Sequence, residues 1–262
     1  MSKPFYVRLK NRGLIHIEGT DRANFLQGLV SNDVQKLEEK KIIYACLLTP
    51  QGRFLHDFFM IWGDGFILLD CEGGLRAQDL YDTLNKYRLR SDVKLSVEKE
   101  NTVYGILECD KPVTTFLQDP RHFKMGYRSF DKPDDMDEEH FDEWDQQRIV
   151  LGVPDGSRDM KYTKSTLMEC KIDKFNGVDF DKGCYMGQEL TARMHYRNLG
   201  KKHLQVLTFH DIPPPPPYSE LDINGVLVGN MRSSCWQVGL AIINDEALER
   251  LKNDKYPVRL LG

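Results

Sequence analysis

The densest chemistry in the sequence lies in DKGCYMGQELTARMHYR, residues 181–197. One thiol, Cys184, sits between Gly183 and Gly187, with Lys182 on one side and the pair Gln188-Glu189 on the other. A helical pattern starts near Gly187, with Leu190, Met194 and either Tyr196 or Leu199 as inward positions. Cys184 is therefore expected just before a helix N-terminus, where unpaired amide groups and the dipole favour a thiolate. Lys182 adds positive charge. Glu189 complements the dipole and is spaced to pair with Arg193 at i,i+4. Such a thiol suits a nucleophile, a redox group or one ligand of a metal cluster. A lone cysteine does not hold an iron–sulfur cluster, which takes about four ligands, so a partner would have to supply the others. Cysteine-protease chemistry is disfavoured, because His195 lies turns away along the same helix. The competing reading is a buried cysteine in a glycine-rich turn.

The chain has 262 residues and a net charge of −4, a balance that does not suggest non-specific nucleic-acid binding. No apolar run approaches the ~20 residues that span a bilayer. The N-terminal stretch lacks an apolar signal core and reads as the start of the fold. The expectation is a bacterial cytoplasm, with the mitochondrial matrix as the alternative. None of the six cysteines forms a C-x-x-C pair. Cys46 and Cys109 lie in apolar strands and read as buried hydrophobes.

The elements that must position the thiol are mixed. GLIHIEG alternates as a strand, and TDRANFLQGLV is a short helix capped by Thr20 or Asp21, with Phe25, Leu26 and Leu29 on one face. KIIYACLLTPQGRFLHDFFMIWGDGFILLD reads as three antiparallel strands separated by TPQGR and GDG turns. GGLRAQDLYDTLNKYRL is an amphipathic helix with Leu75, Leu80, Leu84 and Tyr87 in phase. DVKLSVEKENTVYGILEC then gives two strands around a polar turn. This order argues an α+β fold with antiparallel sheets and flanking helices.

Residues 131–145 hold nine carboxylates and read as a solvated loop and helix start. An opposite-sign group, Lys182, Arg193, Arg197, Lys201 and Lys202, offers a side for an anionic ligand. Trp144 reads as core, with stacking on a bound ring as the second reading. Short strands with glycine turns after Lys202 indicate a small β-barrel or sandwich. The run Pro213–Pro217 in its first loop reads as a stiff connector.

The stretch KGCYMGQELTAR resembles the signature of the YgfZ-type family, which is akin to the aminomethyltransferase (T-protein) of the glycine cleavage system. Lys182, Gly183, Cys184, Tyr185, Gly187, Gln188, Glu189 and Arg193 match it. The blocks FLQGLVSNDVQKL, YACLLTPQGRFLHDFF, LYDTLNKYRLRSDVKL, RIVLGVPDG, LMECKIDKFNGVDFDKGCY and WQVGLAII extend the resemblance over most of the chain, in the branch that includes the mitochondrial iron–sulfur assembly factor.

The resemblance implies a T-protein-like body enclosing a folate cavity, residues 1–202, divisible into two interleaved subdomains, and a short C-terminal β-barrel, residues 203–262. It implies a tetrahydrofolate ligand and a factor that assists assembly or repair of iron–sulfur clusters, especially of [4Fe–4S] proteins. In bacteria this extends to iron–sulfur enzymes that modify tRNA. Cys184 is carried over as the functional thiol and as ligand of a transient cluster shared with an A-type carrier. The implied protein is not a turnover enzyme, binds no membrane or nucleic acid directly, and is a monomer when alone. Folate contacts carried over or read from position are Glu169, Asp57, Asn32, Asp33, Tyr87 and Arg88. A carboxylate such as Glu169 suits an aminopyrimidine edge, and Arg88 suits a glutamate tail. The alternative is a folate-dependent aminomethyltransferase or other one-carbon transferase. Against it, T-proteins carry an Asp-Asp doublet where this chain has His56-Asp57, and they lack a cysteine at the position of Cys184.

Overall fold

The computed structural model describes residues 3–98, 102–110, 112–252 and 257–261. In chain order the elements are β1 (Phe5–Arg8), β2 (Arg12–Glu18), α1 (Arg22–Gln27), α2 (Leu37–Lys40), β3 (Ile42–Leu48), β4 (Phe54–Trp62), β5 (Phe66–Glu72), α3 (Leu75–Tyr87), β6 (Lys94–Val97) and β7 (Tyr104–Leu107). There follow β8 (Leu117–Gln118), β9 (Tyr127–Ser129), β10 (Asp137–Glu138), α4 (Phe141–Val150), α5 (Gly156–Asp159) and α6 (Gln188–Arg197). The chain closes with β11 (Lys202–Phe209), β12 (Glu220–Ile223), β13 (Val226–Cys235), β14 (Val238–Asn244), α7 (Leu248–Leu251) and β15 (Val258–Leu260).

Three five-stranded sheets result, in the orders β3-β4-β5-β2-β6, β10-β1-β7-β9-β8 and β12-β13-β14-β11-β15. The first is antiparallel throughout, and its strand β3 is buried on both faces, which is why IIYACLL reads as an unbroken apolar run rather than an alternation. Along β4, Phe58 and Met60 point to the layer formed by α1 and α3, while Phe59 and Ile61 point to the interior shared with the other sheets. A register shift opposite Leu47 and Leu48 inserts one extra residue near Leu55. His56 thereby faces outward to Asp79 on α3, and Asp57 faces inward to Tyr44. Only one member of a consecutive pair on this strand can reach the interior.

The third sheet runs from residue 202 to 260 and curls as a half-barrel. Two register shifts along β13 assist the curl. One face has its own core around Phe209, Met231 and Ile243, and the other sends Leu204, Leu240 and Ile242 into the common core. Arg148 ties α4 to this sheet. Its guanidinium reaches Asp145 at 2.6 Å, Asp159 at 2.7 Å and the Ser233 hydroxyl at 2.7 Å, all buried.

Several sequence-based expectations change. The strands β6 and β7 do not form a hairpin: β6 pairs with β2 in the first sheet, and β7 pairs with β1 and β9 in the second. The turn proposed between them lies partly outside the described residues. Leu75 and Tyr87, placed on the buried face of α3, are exposed, and only Ala77, Leu80 and Leu84 are buried. The acidic segment is not wholly solvated. Asp145 is buried against Arg148 and Arg158, and Asp137-Glu138 forms a strand parallel to β1. Trp144 is core, packed on Phe141 and on the bare Cα of Gly105. No helix among the described residues is long and apolar enough to cross a membrane.

Candidate functional site

Of the six cysteines, Cys184 alone is exposed; Cys46, Cys71, Cys170 and Cys235 are buried and Cys109 is intermediate. Burial pushes the Cys71 and Cys170 thiols up to about 12, so they stay neutral. The contrast comes from what flanks residue 184. Two positions before it, the Lys182 ammonium donates to the carbonyls of Gln27 at 2.8 Å, Val30 at 2.7 Å and Asn32 at 2.8 Å. One position after it, Tyr185 is buried and its N–H donates to the side-chain oxygen of Gln188 at 3.1 Å. The Lys182 ammonium also lies 5.1 Å from the Tyr185 ring centroid. Burial pushes Lys182 down to about 8, while Asp33 and Asp179 pull it upward.

Helix α6 starts at Gln188, and its N-cap is Gly187 in the left-handed region at φ +81°. Cys184 thus precedes the N-cap by three residues and is not itself the cap. The Lys182 charge is spent on carbonyls rather than offered freely to the thiol. Gly187 is needed for close approach: a Cβ there would lie 2.4 Å from the Thr49 carbonyl oxygen in the turn between β3 and β4. A Cβ at Gly183 would meet nothing, so that glycine serves no packing role. Glu189 and Arg193 are both exposed and form no ion pair with each other among the described residues. Of the predicted inward positions, Met194 packs on the core, Leu190 is half-buried, and Tyr196 and Leu199 are exposed. His195 stacks on Phe180 at 3.8 Å between centroids, which keeps its ring with Phe180. The basic group does not converge on one ligand site, because Lys182 is consumed and Lys202 pairs with Glu169 at 3.4 Å.

Several of the residues assigned to folate are engaged by the chain itself. Asn32 donates to the carbonyls of Tyr44 and Asn176 and accepts from the Asp33 N–H, so it builds a turn. Asp33 accepts from the Gln35 N–H and from the Gln27 side chain. Glu169 accepts from the Thr166 N–H at 3.1 Å. Tyr87 and Arg88 lie at the exposed end of α3, on the outer layer of the first sheet. Asp57 differs. It is buried, Oδ2 accepts from the Tyr44 hydroxyl at 2.8 Å, and Oδ1 has no partner among the described residues. Burial pushes its carboxyl up, against the pull of Arg12. An unpartnered buried oxygen fits a ligand's donor. Of the set, Asp57 is the residue whose buried oxygen is left open to such a donor.

Sequence reasoning missed the interior around Asp57. The guanidinium carbons of Arg12, Arg121 and Arg128 lie 5.6, 4.7 and 3.8 Å from the centroid of the Phe59 ring. Asp70 pairs with Arg12 and Arg128, each at 2.6 Å, and Asp119 pairs with Arg121 at 2.7 Å. The one signal was Asp70, an acid inside the apolar strand FILLDCE.

Comparisons with known proteins bear on this geometry in two steps. In fold, the chain is similar to the glycine cleavage system aminomethyltransferase T from Bartonella henselae, with a TM-score of 0.71 over 95% of this chain and 80% of that one, at 12% identity. The class is therefore a T-protein-like α+β fold. In sequence, it is 31% identical to the human iron–sulfur cluster assembly factor IBA57, mitochondrial, over 92% of this chain and 78% of that protein. It is 33% identical to the IBA57 homolog of Mycosarcoma maydis, over 83% of this chain. The chain belongs to the IBA57 family of iron–sulfur cluster assembly factors. It spans 60% of the length of the Mycosarcoma relative. No protein-family model matches it. These relatives, and those from mouse and Dictyostelium discoideum, are named as mitochondrial. That overturns the expectation of a bacterial cytoplasm. Neither a YgfZ-type designation nor tRNA modification is named among them. They are named assembly factors, not transferases.

Proposed function

We propose that this protein assists iron–sulfur cluster assembly in the mitochondrial matrix, with Cys184 as a transient ligand of a cluster shared with an A-type iron–sulfur carrier and delivered to [4Fe–4S] client enzymes. The observation that carries this reading is one exposed thiol on a segment pinned on both sides. Among the described residues no three His, Cys, Asp or Glu side chains gather as a metal site. One thiolate needs about three further ligands, so the partner completes the coordination. The cluster is cargo in this reading. The likeness of the relatives supports an assembly role, and the division into a body of residues 1–202 and a terminal unit of 203–262 is part of the same proposal.

The test is anaerobic mixing of the protein with a cluster-loaded A-type carrier, followed by size exclusion with visible absorption. The wild type is expected to form a cluster-bearing heterocomplex and Cys184→Ser to lose it. Equal complex formation by Cys184→Ser overturns the ligand role.

A second reading, folate-dependent one-carbon transfer, is favoured by the inward-facing Asp57 with its unpartnered oxygen and by the T-protein-like fold. Tetrahydrofolate-dependent release of ammonia from an aminomethylated carrier protein supports it. No turnover under those conditions removes it.

A further inference from the structure

The turn that follows α1 has an unusual hydrogen-bond account. Its carbonyls accept almost entirely from one distant stretch of chain. Asp179 N–H donates to the Ser31 carbonyl and Met186 N–H to the Gly28 carbonyl, each at 3.0 Å. Lys182 Nζ takes the carbonyls of Gln27, Val30 and Asn32. Each of its three protons has an acceptor within 2.8 Å, which is the full donor capacity of an ammonium. A short helix leaves its last carbonyls without partners of its own. Here the C-terminal end of α1 carries the partial negative charge that favours a cation.

We propose that Lys182 is the positioning residue for Cys184: its ammonium closes the carbonyl ring at the end of α1 and so fixes the place from which the thiol projects. The proposal rests on the reading of Cys184 as the working thiol, and it assigns Lys182 a part in that site other than supplying charge to the sulfur. Three features make the clamp specific. Lys182 and Tyr185 flank Cys184 and are both held, so residue 184 is left exposed between two anchors. The Asn32 amide also donates to the Asn176 carbonyl, which joins the same turn to the chain leading into the thiol segment. Ser31 Oγ donates to the Gly177 carbonyl and accepts from the Cys46 N–H, so the turn is itself fixed to β3. The clamp therefore runs from β3 through the turn to Cys184.

The experiment attaches a nitroxide to Cys184 in a Cys109→Ser background and reads its mobility by continuous-wave electron paramagnetic resonance. The label in the otherwise native protein is expected to be motion-restricted. Lys182→Met should shorten its correlation time severalfold while circular dichroism and the thermal midpoint show a folded protein. Lys182→Arg, which keeps the charge and several donors, should restore the restricted spectrum. A Lys182→Met spectrum the same as that of the native protein overturns the proposal. A mobile label in folded Lys182→Arg also overturns it, and this arm decides the matter if the methionine variant does not fold. The measurement needs neither cluster nor carrier. A failure of the cluster role, seen with Cys184→Ser, is thus separable from a failure of the clamp.

Discussion

Gly52 and Gly187 lie back to back: a Cβ on Gly187 would sit 3.0 Å from the Gly52 Cα, and a Cβ on Gly52 would sit 2.8 Å from the Gly187 carbonyl oxygen. The hairpin turn between β3 and β4 thus abuts the start of α6, and two bare Cα atoms make the approach feasible. Gly187 also has φ +81°, where a side chain is strained. Gly187→Ala is expected to destabilise the protein by more than about 2 kcal/mol in urea unfolding. Gly183→Ala, which meets open space, should stay within about 0.5 kcal/mol.

His56 supplies a pH signature. It is buried and donates to Asp79 at 3.0 Å. Burial, helped by the Arg76 charge, pushes its pKa down to about 4, against the pull of Asp79. A depressed histidine means that the unfolded chain binds more protons between the folded value and about 6.5. Its contribution is present above about pH 6.5 and is lost as pH falls toward 4. The expected loss is on the order of 2–3 kcal/mol. His56→Gln should flatten that part of a stability-versus-pH curve measured by chemical unfolding; an unchanged slope would refute the assignment.

Asp57 behaves in the opposite sense. Its raised carboxyl pKa means that the folded state favours the neutral form, so its contribution is complete below the unfolded value and fades as pH rises through the folded one. Asp57→Asn keeps the shape and removes the charge. We expect that variant to be at least as stable as the wild type at pH 7, by up to about 1 kcal/mol. If tetrahydrofolate binds, calorimetry should show weaker binding to Asp57→Asn.

Thiol labelling follows burial. Brief treatment of the native protein with a neutral alkylating reagent should modify Cys184 first and Cys109 second, as read by mass mapping. Cys46, Cys71, Cys170 and Cys235 should react only on unfolding. Rapid labelling at Cys170 would contradict the packing described for the common core.

Arg148 tests the joint between α4 and the third sheet. Its guanidinium is fully buried among Asp145, Asp159 and Ser233. Arg148→Met leaves two buried carboxylates short of a partner and should cost about 3–5 kcal/mol in unfolding free energy. A cost under about 1 kcal/mol would show that the network does not hold the sheet in place.

The sequence by itself determined most element types, the three-strand meander, and which residue types the KGCYMGQELTAR segment brings together. These depend on local period, turn residues and a contiguous motif. Only the tertiary structure decided what each residue does. Lys182 was legible as a cation, but the carbonyls it serves lie about 150 positions earlier in the chain. His56 and Asp57 are neighbours whose opposite directions follow from strand alternation and a register shift set by pairing with β3. The arginines around Phe59 come from separate strands and loops, so no spacing announced them. Local periodicity reports which face a residue occupies, whereas partners are chosen by contacts between segments distant in sequence.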